Sequence, residues 1–253
     1  MHRKSVSVWL LAILQLWLAH ALGYMVHEYA HSFMAYILHA KANPLALDYG
    51  GLNLDNLLFL NDIDENVDYA PLFAAGRYHA AALISVAGVL IGNGLSYLVS
   101  LYFYRLAQVR NRRSWGMFFF WLGVMSVGNF LSYVPIRTFA SHADMSTVVR
   151  GLDTSPWVIA IALGIPFALA IWHYLWIVLP EAEAFLFGEE PVLQGVLVLM
   201  TTYFVFVFFG GSGLKNYGAA GYWLSATCEY LLFPVATILC LQRSRAKSRH
   251  LAA

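Results

Sequence analysis

Two histidines four residues apart enclose a glutamate in the segment His27-Glu28-Tyr29-Ala30-His31. On a helix, residues four apart project from one face a turn from each other, so the two imidazoles can share a metal ion. Glu28, one position on, can reach a water held by that metal. This pattern specifies a chemistry. Two nitrogen ligands and one further ligand leave a coordination position open, zinc there brings the acidity of its water toward neutral pH, and the glutamate acts as general base and passes the proton to a leaving amine. One zinc ion per chain is the expected cofactor.

The third ligand must come from elsewhere, and the stretch from Asn129 to Met145 supplies candidates. Asp144 is the expected third metal ligand, with His142 and Asp153 as chemically competent alternatives. Asn129, near the end of an apolar run, can exchange hydrogen bonds with an extended substrate backbone, and Pro135 can stop or bend the helix and turn the chain back toward the site. Arg137 is either an interfacial arginine or a partner for a developing oxyanion or a substrate carboxylate. Asn93 lies among the small residues Gly88, Gly92 and Gly94, which permit close helix contact, and it either cross-links helices or lines a substrate groove. Asn129 and Asn93 are therefore the substrate-positioning candidates. His20, seven residues before His27, reads as a packing histidine, and His173 and Glu229 as polar groups paired within the bundle.

The elements that must hold these residues are membrane helices. Of 253 residues, 60% are hydrophobic and 11% charged, with a mean hydropathy of +0.63; a soluble domain carries about 25% charged residues. Apolar runs near 20 residues can cross a hydrocarbon layer only as helices that satisfy their own amides. Six are expected, at about Ser7 to Ala40, Tyr78 to Leu106, Trp115 to Tyr133, Trp157 to Leu179, Val192 to Phe209 and Tyr222 to Leu241. The first is long enough for tilt or a break near Gly23, and it continues past signal-peptide length, so it is expected to be a retained membrane helix. The connection from Lys41 to Arg77 is polar and rich in turn formers, with short strands expected at Leu52 to Leu60.

Lys and Arg set the expected orientation. With the N-terminus inside, ten fall on inner segments and five (Lys41, Arg77, Arg137, Arg150 and Lys215) outside, which favours cytoplasmic N- and C-termini. The inner segment Pro180 to Pro191 dissents, with four glutamates and no basic residue. His27 lies 20 residues beyond Ser7, about 30 Å at helical rise, which places the motif toward the outer face. Asn129 approaches that end of the third run and Asp144 follows in the loop beyond, so the three pieces converge on one side of the membrane. The net charge of +1 gives no argument for nucleic acid. Cys228 and Cys240 form no disulfide or zinc-knuckle pattern.

Together, His27-Glu28-Tyr29-Ala30-His31 in an apolar helix, the Ala87-Gly88 to Asn93 stretch in the next helix, and Asn129 with Pro135 and a later aspartate resemble the site-2 protease family of intramembrane zinc metallopeptidases. The resemblance covers about Leu10 to Asp153. The family's Asn-x-x-Pro and Leu-Asp-Gly are replaced here by a six-residue spacing from Asn129 to Pro135 and by Leu152-Asp153-Thr154, so the chain resembles a divergent member. The resemblance implies an all-α polytopic bundle over residues 1–253 as one metallopeptidase domain, with a core site region at 7–153. It also implies His27, His31 and Asp144 as metal ligands, Glu28 as the catalytic acid-base residue, and a membrane protein or peptide as substrate. A membrane transporter or channel using His27, Glu28, His173 and Glu229 is the non-enzyme alternative. A di-iron oxygenase lacks the expected histidine clusters, and an inactive pseudoprotease is separable only by activity.

Overall fold

The structure, a computed structural model, describes residues 2–252 and, within them, the side chains of residues 10–244. The chain is an all-α, multi-pass integral membrane protein. Its six apolar spans are Leu10–Ile37, Tyr78–Val109, Arg113–Phe139, Pro156–Phe187, Pro191–Leu214 and Gly218–Ser244. The side chains of Arg3, Lys4, Arg245, Lys247 and Arg249, half of the ten basic residues counted on inner segments, lie outside the described ones. An even number of spans places both ends of the described chain on one side of the membrane.

Lipid, rather than water, explains the outer surface: Leu10, Ile13, Leu98, Ile161, Leu169 and Ile238 all point away from the protein. The third span is the axis of the bundle, with 83% of its most apolar window buried against 17% for the first span. The first span is thus peripheral. The expected break near Gly23 does not occur; the helix His2–Ile37 is unbroken, and Gly23 instead lies beside Met125 of the third span. The motif residues His27, Glu28 and His31 are buried against the bundle while Leu22, Phe33 and Ile37 of the same helix face outward.

The strands expected at Leu52 to Leu60 are not formed. Asn53 caps a short helix, Leu54–Phe59, by accepting from the Asn56 backbone amide, and the Asn56 side chain donates to the carbonyls of Tyr49 and Gly51. The extended pairing that remains in this connection is an isolated bridge between Asp48 and Asp64.

Nor does this connection stay at the membrane surface. Ser32 donates to Pro44 O, Tyr24 to Ile63 O and Trp17 to Leu57 O, while His20 Nε2 meets Phe59 O at 3.1 Å. From Ser32 to Trp17 the first span rises by about 22 Å, so the connection dips back along the helix with Leu54, Leu57 and Leu58 turned outward. Backbone carbonyls at that depth need protein donors, and the polar side chains of the first span provide them. The same contacts account for His20 as a packing histidine.

The first part of the acidic segment that disturbed the charge count is helix, and only residues 188–190 form a turn. The fourth span continues as helix to Phe187, beyond the expected Leu179, and buried Glu183 pairs with Arg243 of the sixth span at 3.6 Å.

Candidate metal centre

His27, His31 and Asp144 come together where the first and second spans meet the segment after the third. His31 Nε2 lies 3.1 Å from His27 Nε2, and Asp144 Oδ2 lies 3.5 Å and 3.7 Å from the two nitrogens. A tetrahedral zinc with ligands at about 2.0–2.1 Å has donor-to-donor edges of about 3.3–3.4 Å. The three donors fit that edge length, and they are the one such group of His, Cys, Asp and Glu among the described residues. Both imidazoles are buried, so the arrangement is an intramembrane site suited to a metal ion.

The second span builds the wall behind the imidazoles. A Cβ at Gly88 would overlap His31 Nε2 and lie 2.6 Å from His27 Nε2, and one at Gly92 would lie 2.8 Å from the His27 Cα. Only glycine lets the two backbones come this close. Ile84 O then receives His31 Nδ1 at 2.7 Å. A carbonyl can only accept, so His31 Nδ1 carries a proton, which leaves Nε2 as the atom that turns to the cluster and would present its lone pair to a metal.

Asn93 sits behind the other ring, its side-chain nitrogen 3.0 Å from His27 Nδ1 and its Oδ1 buried with no hydrogen-bond partner. With the amide in this sense, His27 Nε2–H donates to His31 Nε2 and one proton fills the gap between the rings. With the amide reversed, Nδ1–H donates to Asn93 Oδ1 and both Nε2 lone pairs face inward, as a metal requires. Asn93 therefore contacts the cluster directly, as a partner of His27.

The third ligand is delivered by a turn at the end of the third span. The residue before a proline is pushed out of helical geometry, and Val134, at φ −135° and ψ 117°, breaks the helix there. The chain then doubles back to the helix Asp144–Gly151, whose first residue is the ligand candidate. Ala143, just before it, holds φ 70° and ψ 178°, a region almost confined to glycine that costs about 1–3 kcal/mol. Ser85 fastens the turn by donating to the Asp144 backbone carbonyl at 3.0 Å, with its carboxylate at 3.5 Å. Burial alone would raise the Asp144 carboxyl, but the imidazoles it faces hold it well below the usual carboxylate range. It stands ready as an anion.

The other candidates lie elsewhere. His142 is exposed and stacks on Tyr217, and Asp153 is exposed at the far end of the helix from Asp144. Asn129 donates to Met125 O within its own helix. It lies on the helix face between Met125, which meets Gly23, and Tyr133, whose ring contacts His27 at 4.7 Å. His173 pairs with Tyr97 at 2.7 Å, outside the cluster. Arg137 is not an interfacial arginine reaching for water: its guanidinium lies over the rings of Tyr133 and Tyr217, its Nε is buried, and no carboxylate pairs with it among the described residues.

Glu28 is buried, yet among the described residues its carboxylate accepts no hydrogen bond from the protein. The neighbouring Glu65 comes from the re-entrant connection, held by Tyr69 OH at 2.8 Å and by Lys41 on its backbone carbonyl. Burial, against the opposing pull of His31, raises the Glu65 carboxyl above its usual range.

Sequence reasoning missed Ser85, the Ile84 carbonyl and Tyr133. A signal existed for the first, since Ser85, Gly88 and Gly92 recur at helical spacing as small residues on one face. None existed for the carbonyl, which any residue at position 84 supplies. No protein-family model, curated protein or solved structure matches the chain.

Proposed function

We propose that this protein is an intramembrane zinc metalloprotease of the site-2 protease type, hydrolysing peptide bonds in or next to membrane-spanning segments of protein substrates. The observation that carries the reading is the closed donor triangle of His27, His31 and Asp144 with the unengaged Glu28 carboxylate on the same helix. His27 Nε2, His31 Nε2 and Asp144 Oδ2 would hold the ion. Zinc bound there supplies Lewis acidity and lowers the pKa of a coordinated water toward neutrality.

The chain's own groups supply the rest. Ile84 O and Asn93 orient the two rings through their Nδ1 atoms, and Ser85 orients Asp144. Glu28 takes the proton of the attacking water on its carboxylate oxygen and returns it to the leaving nitrogen, the task of a base whose hydrogen-bond capacity is unspent. Arg137, a cation close to the site with no carboxylate partner among the described residues, serves developing negative charge or a substrate carboxylate. The burial of the centre keeps bulk water out, and its position on the peripheral first span sets it close to the lipid from which a membrane substrate would approach. An ion path has less support, because His173 is engaged by Tyr97 and neither it nor Glu229 joins the cluster.

The test is cleavage of a membrane-helix substrate by the zinc-loaded protein in lipid. Glu28→Gln should retain zinc and lose roughly 10²–10⁴-fold in rate, the range of general acid-base catalysis. Undiminished cleavage by that variant, or a zinc-loaded wild type that cleaves nothing, would overturn the assignment.

A further inference from the structure

At the end of the bundle opposite the metal centre, the second and third spans are joined by a three-residue turn, Arg110-Asn111-Arg112. The turn is rigid. Arg112 N donates to Ala107 O and Asn111 N to Gln108 O, with Asn111 left-handed at φ 51°, the double bond pattern that closes a helix C-terminus. It fixes the backbone on either side of Asn111 and so places Arg110 and Arg112 at the mouth of a cavity of about 630 Å³.

The cavity changes character with depth. Below the two arginines its walls are Trp115, Phe119, Phe103 and Leu106. Phe119 stacks on Phe103 at 5.0 Å and on Trp115 at 6.1 Å, which makes a continuous aromatic face running into the membrane. Neither Arg110 nor Arg112 forms an ion pair among the described residues, and both are exposed. Their charges are unmatched by any described residue.

We propose that this cavity is a binding site for one anionic phospholipid of the leaflet on the side of the chain termini. The phosphodiester would meet the two guanidinium groups, which donate paired hydrogen bonds to phosphate oxygens. One acyl chain would lie along Trp115, Phe119 and Phe103, with the indole at the headgroup level where tryptophan is favoured. A soluble anion could satisfy the arginines but would leave the aromatic wall uncovered. A zwitterionic lipid would cover the wall and bring the same phosphodiester, but its headgroup cation offsets that charge beside the two arginines, so it leaves their net charge unbalanced. Only a lipid with net negative charge matches both halves, as basic pockets between membrane helices do. The site is independent of the metal centre, so its failure and that of the protease reading are separable.

The experiment is native mass spectrometry of the full-length protein in detergent, titrated with phosphatidylglycerol or phosphatidylcholine. The wild type should retain one phosphatidylglycerol at about tenfold lower concentration than phosphatidylcholine. The double variant Arg110→Gln/Arg112→Gln should lose this preference, while Arg110→Lys/Arg112→Lys keeps most of it and shows that the fold survives charge-retaining change. Arg105→Gln, one helical turn away and outside the cavity lining, should leave the preference intact. Equal retention of the two lipids by the wild type, an unchanged preference in the Gln double variant, or an equal loss in Arg105→Gln would overturn the proposal. So would displacement of phosphatidylglycerol by millimolar inorganic phosphate alone, which would mark a headgroup-sized anion site without a lipid.

Discussion

At the scale of single residues, the centre depends on groups that are not ligands. Gly88 is the sharpest case, because the space for a methyl group there is already occupied by His31 Nε2 and the His27 ring. Gly88→Ala should abolish stoichiometric zinc binding while leaving a folded, membrane-inserted bundle, measured by metal analysis alongside circular dichroism. Zinc at wild-type occupancy in that variant would contradict the close approach of the two helices. Asn93 tests a different dependence. Replacing a partner of a metal-ligating histidine typically weakens metal affinity by about 10–100-fold, and Asn93→Leu should fall in that range by competition with a chelator. Arg137→Met should keep zinc and lower kcat/KM by roughly tenfold or more, whereas an arginine with a purely structural role would change the melting temperature and leave kcat/KM of the folded fraction unaltered.

At the scale of elements, helix spacing made the first two ligand candidates legible, because positions 27 and 31 share a face whatever surrounds them. Six apolar runs were equally legible from the physics of lipid. What could not be read was the path of the connection between the first two spans. Its asparagines and aspartates suggested turns, and turns form there, yet Asn53 and Asn56 use their side chains to cap and brace a short helix where short strands were expected. The descent of that connection depends on Trp17, His20 and Tyr24, which are about 40 residues away in sequence from the carbonyls they meet. A pairing of that kind leaves no local pattern. It does make a prediction: His20→Ala removes one hydrogen bond, a loss of about 1 kcal/mol, so amide exchange over residues 57–63 should speed up by roughly fivefold. Unchanged exchange would show that the connection does not rest on the first span.

At the scale of the whole molecule, the bundle separates its chemistry from its anchorage. The metal centre lies toward the end where the re-entrant connection enters, and the arginine-rimmed cavity and both ends of the described chain lie at the other. Asp144 belongs to the first end only because Val134 and Pro135 turn the chain out of the third span and Ser85 catches it on return. Sequence favoured Asp144 as the third donor, with His142 and Asp153 as competent alternatives; the fold distinguishes them by direction, since His142 turns to Tyr217 and Asp153 lies at the far end of the helix.

The most direct measurement is zinc per chain, by mass spectrometry of metals, in purified protein reconstituted with zinc in lipid, for the wild type and for His27→Ala, His31→Ala, Asp144→Ala, His142→Ala and Asp153→Ala. The account predicts one zinc in the wild type, in His142→Ala and in Asp153→Ala, and loss of stoichiometric zinc in the other three. A wild type without stoichiometric zinc, or Asp144→Ala retaining it at wild-type affinity, would contradict it.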